Sequence, residues 1–159
     1  PPSSTLFPYT TLFRSLAVLV CDVNNFKQIN DELGHLEGNK ALKAVAGTLV
    51  RQCRETDYAA RMGGDEFVML LPGRPRDRLA ERIERMQKMV LDYTRAETGV
   101  ALSVSIGSAS LPEDGTDAES LLAAADRSMY VSKGINQRAG ATLLQSGLVQ
   151  QNAESRTVN

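Results

Sequence analysis

Six consecutive apolar residues, Leu16 to Cys21 (LAVLVC), run without polar alternation into a carboxylate, Asp22. A run this short, bounded by Ser15 and Asp22, suits a central strand buried on both faces. Such a strand carries Asp22 at its C-terminal end, where side chains of neighbouring strands can meet it.

The rest of the chain supplies elements to surround that strand. A short helix is expected from Phe26-Lys27 to Leu33, then a turn at Gly34 and a longer helix with Leu42, Val45, Ala46, Leu49, Val50 and Cys53 on its apolar face. Asp57 to Met62 and Phe67 to Leu71 flank Gly63-Gly64, which marks a tight hairpin with Asp65 and Glu66 at its tip. Leu79, Ile83, Met86, Val90 and Tyr93 recur at helical spacing after Pro72 and Pro75, and Val100 to Ala109 reads as a strand. Thr116-Asp117-Ala118-Glu119 reads as a capping box opening a last helix with Leu121, Leu122, Ala125 and Met129 inward. The order predicts a ferredoxin-like α+β fold, a mixed and largely antiparallel sheet flanked by helices. Residues 1–15 read as a non-native or disordered leader, 16–140 as the domain and 141–159 as a polar tail.

Composition excludes several function classes. The chain has 159 residues, 42% of them hydrophobic, enough for one core. Lys and Arg number 18 against 19 Asp and Glu, so no global positive field favours a nucleic acid or an anionic membrane. No apolar run approaches the roughly 20 residues needed to cross a bilayer, and the expected location is the cytoplasm. Cys21 and Cys53 fall in apolar patterns and read as free thiols. His35 is the single histidine, which leaves histidine catalysis and a His-rich metal site without partners.

If the strands that carry Asp22 and Asp65 are neighbours, both carboxylates converge at one sheet end and suit a hard divalent cation. Two aspartates alone are a weak signal. The strings around them are not: Asp22-Val23-Asn24-Asn25-Phe26-Lys27, Ile29-Asn30-Asp31, Gly34-His35, Arg61-Met62-Gly63-Gly64-Asp65-Glu66-Phe67 and Ala125-Asp126-Arg127-Ser128-Met129-Tyr130 follow one another in order. Together, from about Leu16 to Lys133, they closely resemble the GGDEF family of diguanylate cyclases.

The resemblance implies condensation of two GTP molecules into cyclic di-GMP with release of pyrophosphate. It implies that Asp22, the Val23 carbonyl and Asp65 hold Mg2+ or Mn2+, and that Asn25, Phe26 and Lys27 offer backbone N–H groups to the triphosphate. Gly63 and Gly64 would give close access, Lys133 would contact terminal phosphates, and Asn30 and Asn39 would meet guanine. Glu66 would activate the ribose 3′-hydroxyl beside Asp65. Each domain would hold one GTP, so catalysis would need an antiparallel homodimer. Arg54 and Asp57 resemble the family's product-inhibition site, at which cyclic di-GMP binds. An upstream sensory domain is expected in the parent protein.

The chain also departs from the family pattern. Asn39 stands where the family commonly has Asp, and an amide can donate as well as accept, so a mixed cyclic GMP-AMP product is the alternative enzymatic outcome. Asn24 replaces a frequent second Asp, and Ile135-Asn136-Gln137 replaces Gly-Arg-Asn. The family's segment before Leu16 has no counterpart here, so exposed apolar surface is expected. A catalytically inactive receptor for GTP or cyclic di-GMP is a further alternative, against which Asp22, Asp65 and Glu66 stand together.

Overall fold

The computed structural model describes residues 15–135. The leader up to Arg14, the Asn136-Gln137 departure and the expected polar tail lie outside those residues. The chain forms β1 (Leu16–Val23), α1 (Phe26–Leu33), α2 (His35–Arg51), β2 (Tyr58–Gly63) and β3 (Glu66–Pro72), then a single 3-10 turn at Arg76–Arg78, α3 (Leu79–Thr98) and β4 (Val104–Leu111). A last helix, α4, occupies residues 118–135.

The strands order as β2-β3-β1-β4, and every ladder is antiparallel. This is the ferredoxin-like α+β arrangement that the element order predicts, with the apolar run of β1 at its centre. Asp22 stands opposite Glu66 on one side and Ser105 on the other.

Strand parity divides that run between two cores. Ala17, Leu19, Cys21 and Val23 pack with Leu42, Val45 and Leu49 of α2 and Met86 and Val90 of α3. Val18 and Val20 pack with Leu121, Ala125 and Met129 of α4. Each Val, Leu or Met among them contributes about 1.5–3 kcal/mol by leaving water. Asp22 shares the parity of Val18 and Val20, so it belongs to the α4 side of the sheet.

Helix α4 lies unusually close to β4. A Cβ on Gly107 would overlap Met129 N and Ala125 O and stand 2.6 Å from Met129 Cα. Backbone blocks backbone there, and no side chain fits.

Three local expectations are corrected. Val50, expected on the apolar face of α2, is 57% exposed, because the helix face toward the sheet is already filled by Val45 and Leu49. The strand expected from Val100 begins at Val104, because Leu102 N–H donates to Thr94 Oγ1 at 2.9 Å on α3 instead of to a neighbouring strand. The capping box sits one residue later than expected: Ser120 N–H donates to Asp117 Oδ1 at 2.8 Å and Asp117 N–H to Ser120 Oγ at 3.3 Å. Beside α4 a groove of about 440 Å³ is lined by Leu16, Val18, Met62, Val68, Leu70 and Leu121.

Candidate functional site

The end of β1 meets the hairpin tip that carries Asp65 and Glu66. Asp22 is buried, and its Oδ1 lies 2.7 Å from Lys133 Nζ on α4. Val23 N–H donates to the Asp65 carbonyl at 3.2 Å, which ties the hairpin tip to the strand end. Asp65 is half-buried and Glu66 exposed. The strands that lead into Asp22 and out of Asp65 are neighbours, and the backbones of Asp22, Val23 and Asp65 meet at one sheet end.

Among the described residues no group of three or more His, Cys, Asp or Glu side chains is placed to hold a metal. A cation here would take two carboxylates and a peptide carbonyl, and would complete its shell with water and phosphate oxygens, as magnesium commonly does. The donor set is all oxygen, and a cationic ammonium already rests on Asp22. The residues fit a hard divalent ion.

The loop after β1 is fixed to β4. Asn24 N–H donates to the Ser103 carbonyl at 3.0 Å, Asn24 Nδ2 donates to Ser103 Oγ at 3.0 Å, and Ser105 Oγ donates to Asn24 Oδ1 at 2.8 Å. Asn25 then adopts φ 57°, the one positive φ outside glycine among the described residues. Asparagine tolerates that conformation better than most side chains. The chain therefore turns straight into α1 at Phe26, and the first N–H groups of the helix, which have no partner within it, follow Asn25. Sequence reasoning missed Ser103 and Ser105; a serine pair at alternate strand positions carries no signal of its own.

On the other side of the hairpin, a cavity of about 350 Å³ separates α2 from β2, with Asn39, Lys43, Arg61 and Phe67 in its lining. Arg61 Nε donates to the Gly64 carbonyl at 2.8 Å and a second guanidinium N–H donates to the same oxygen, which fixes the Gly63-Gly64 turn. The Asn30 side chain lies against Gly38 of α2, one residue before Asn39.

The opposite sheet end carries a second charged cluster. Asp57 Oδ2 accepts from Arg54 N–H at 3.0 Å and Arg74 Nη2 at 2.9 Å, with Arg82 Nη2 at 3.6 Å. Its side chain is 0% exposed, so Asp57 and Arg54, paired by sequence, differ in access: Asp57 faces inward and Arg54 is exposed. Burial first, then Arg74, pulls the Arg82 guanidinium below its ordinary pKa, while Asp57 opposes the shift. Arg54, Arg74, Arg78, Arg82 and Arg85 line a cavity of about 280 Å³. The last four were missed by sequence reasoning. A basic stripe at positions 78, 82 and 85, with helical spacing, was the signal available.

Residues 10–139 match the family model described as diguanylate cyclase, GGDEF domain. The chain is 35% identical over 131 residues to Diguanylate cyclase DgcP of Pseudomonas aeruginosa, covering 82% of this chain and 19% of that protein. It is 39% identical over 122 residues to Diguanylate cyclase DosC of Escherichia coli, covering 74% of this chain and 26% of that protein. Among solved structures, a sensory box/GGDEF family protein from Caulobacter crescentus matches with TM-score 0.67 and 35% identity, over 76% of this chain and 79% of that one. The GGDEF domain of DgcB from the same organism, solved in complex with c-di-GMP, matches with TM-score 0.67 and 30% identity, over 75% and 72%.

Proposed function

The chain belongs to the GGDEF family, and from that membership we propose that it is a diguanylate cyclase domain, joining two GTP molecules into cyclic di-GMP with release of two pyrophosphates. The observation that carries the proposal is the meeting of Asp22, Val23 and Asp65 at one sheet end, directly before the Asn25 turn. Two carboxylates next to an N–H array provide for a cation and for the phosphates it neutralises.

Asp22, the Val23 carbonyl and Asp65 would hold Mg2+ or Mn2+, which supplies charge stabilisation at the phosphoryl oxygens when bound. Asn25, Phe26 and Lys27 direct N–H groups to the triphosphate, and Gly63 and Gly64 leave room beside it. Lys133, now on Asp22, is long enough to turn from a carboxylate to a phosphate oxygen. Asn30 and Asn39 meet the base at the α2 side. Glu66, exposed on the hairpin, accepts the proton of the ribose 3′-hydroxyl, whose oxygen attacks the α-phosphorus of the GTP in a second copy. Each domain carries one substrate, so the active form is a homodimer. The exposed Arg54, with Arg78 and Arg85, binds the product as an inhibitor, while Asp57 stays inside. No helix among the described residues is long and apolar enough to cross a membrane, and we place the domain in the cytoplasm, fused to a sensory domain in its parent.

The exposed Asn39 favours one second reading. Its amide can pair with adenine as well as guanine, which would give cyclic GMP-AMP. Incubation of the domain, joined to the N-terminal segment of a relative, with Mg2+ and GTP, ATP or both separates these outcomes by chromatography and mass spectrometry. Cyclic di-GMP that disappears in Asp65→Ala is expected. A mixed product moves specificity to Asn39, and nucleotide binding without product makes the domain a receptor.

A further inference from the structure

Helix α2 contains two glycines, and the structure treats them differently. A Cβ on Gly47 would meet nothing within 4 Å. A Cβ on Gly38 would overlap Asn30 Oδ1, stand 3.0 Å from Asn30 Cγ and come to 3.3 Å from Phe26 Cζ. Glycine inside a helix lowers its stability. At Gly47 the structure shows no compensating contact, and at Gly38 it shows one.

What obstructs a side chain at Gly38 is the far end of Asn30, not backbone. The Asn30 backbone is held independently, since its carbonyl accepts from Gly34 N–H at 2.9 Å, and Gly38 N–H donates to Gly34 O at 3.1 Å in the first turn of α2. An alanine at position 38 would therefore leave the α1–α2 turn in place and turn the Asn30 carboxamide out of its seat.

We infer that Gly38 is a positioning residue for base recognition: the bare Cα leaves room for the Asn30 carboxamide against α2, one residue before Asn39 in sequence, in the orientation that meets the nucleobase. This inference rests on the reading that Asn30 contacts the base. It adds a requirement that neither amide reveals alone, because the seat of Asn30 belongs to the other helix. Glycine at this position trades helix stability for the placement of a polar group, and the two quantities can be measured apart.

The test uses the full chain with Gly38→Ala, Asn30→Ala, the double substitution and Gly47→Ala as the helix control. Melting temperature is followed by circular dichroism, and nucleotide affinity by a fluorescent GTP analogue with Mg2+. Gly38→Ala and Gly47→Ala are expected to melt at the wild-type temperature or above it, since both replace a helical glycine. Gly38→Ala is expected to weaken the GTP analogue about tenfold, the scale of one lost polar contact, to the same level as Asn30→Ala. The double substitution should bind no more weakly than either single one, because both remove the same interaction.

A lower melting temperature in Gly38→Ala with unchanged affinity would make the glycine a packing residue and overturn the inference. Additive losses in the double substitution would overturn it as well, by showing that Gly38 acts apart from Asn30. Unchanged affinity in Asn30→Ala would instead remove the base-contact reading, and the positioning role with it.

Discussion

Asp22 and Asp57 are buried to nearly the same degree, 6% and 7% exposed, at opposite ends of one sheet, yet they are held by different chemistry. Asp22 pairs with Lys133 at 2.7 Å, and that lysine side chain remains 34% exposed. Asp57 takes a backbone N–H and two guanidinium groups whose side chains are 13% and 9% exposed. A lysine ammonium is a hydrated point charge on a flexible stem, whereas a guanidinium is a planar fork that packing can lock. Burial of a carboxylate is therefore no mark of a reactive site. What separates the two is the exposure of the partner, and the partner of Asp22 is open to solvent.

The largest effect should come from breaking the locked end. Asp57→Ala strips the counter-charge from Arg74 and Arg82 and should lower stability by about 3–5 kcal/mol in urea denaturation, the usual cost of leaving a buried charge alone. Asp22→Ala should cost less than about 1 kcal/mol, because Lys133 can turn to water. Equal losses at the two ends would sink the contrast.

Turnover should rank the two ends in the opposite order. Asp22→Asn keeps the shape of the side chain and removes the charge, and cyclic di-GMP formation from GTP should fall on the order of a thousandfold, the loss of several kcal/mol of electrostatic stabilisation. A folded Asp22→Asn domain with wild-type turnover in a mass-spectrometric assay would take the cation away from this residue.

Gly107→Ala sharpens the comparison through packing. A methyl group there has backbone of α4 in its path, so α4 must move and carry Lys133 with it. A stability loss of about 1–3 kcal/mol is expected, as for other overpacked positions. Combined with Asp22→Ala the loss should be non-additive, because both changes sever Lys133 from Asp22; combined with Asp57→Ala it should be additive. The same coupling to both carboxylates would mean that α4 supports the whole sheet and has no special link to the Asp22 end.

Much of this was legible in the sequence, for reasons that differ by residue. The apolar run from Leu16 announced a central strand because a strand covered on both faces has no polar register to keep. Gly63-Gly64 announced the hairpin, and the strings around Asp22 and Asp65 announced the family. The facing of Asp22 toward Lys133, 111 residues later in the chain, depends on which face of the sheet α4 covers, and periodicity within β1 is silent on that. Asp57 looked like an accessible half of a pair with Arg54 until the fold brought Arg74 and Arg82 onto its carboxylate. Val50 shows the reverse limit: helical spacing marks a stripe, and only packing decides how wide the buried part is.

Each carboxylate also has a cysteine close by in sequence, and the two thiols report the difference at small scale. Burial, and then Asp22, pushes the Cys21 thiol up from an ordinary value near 9 to about 12. Cys53 is raised by burial and then by Asp57, but Arg82 and Arg74 act against that rise. A thiol raised in the fold keeps a proton that the unfolded chain begins to lose near pH 9, so its stabilising contribution is complete below that pH and is lost as pH rises toward the folded value. At pH 8 with Ellman's reagent, half-buried Cys53 should react first and Cys21 only on unfolding. Asp57→Asn removes the second of the two causes that raise Cys53 and leaves the arginines opposed by burial alone, so its thiolate fraction and reaction rate should rise, on the order of a few-fold. Asp22→Asn should leave Cys21 silent, because burial is the larger cause of its shift. Silence at Cys21 in Asp57→Asn also shows that the faster Cys53 reaction is not global unfolding, and joint acceleration of both thiols would assign the change to loosened structure instead of local charge.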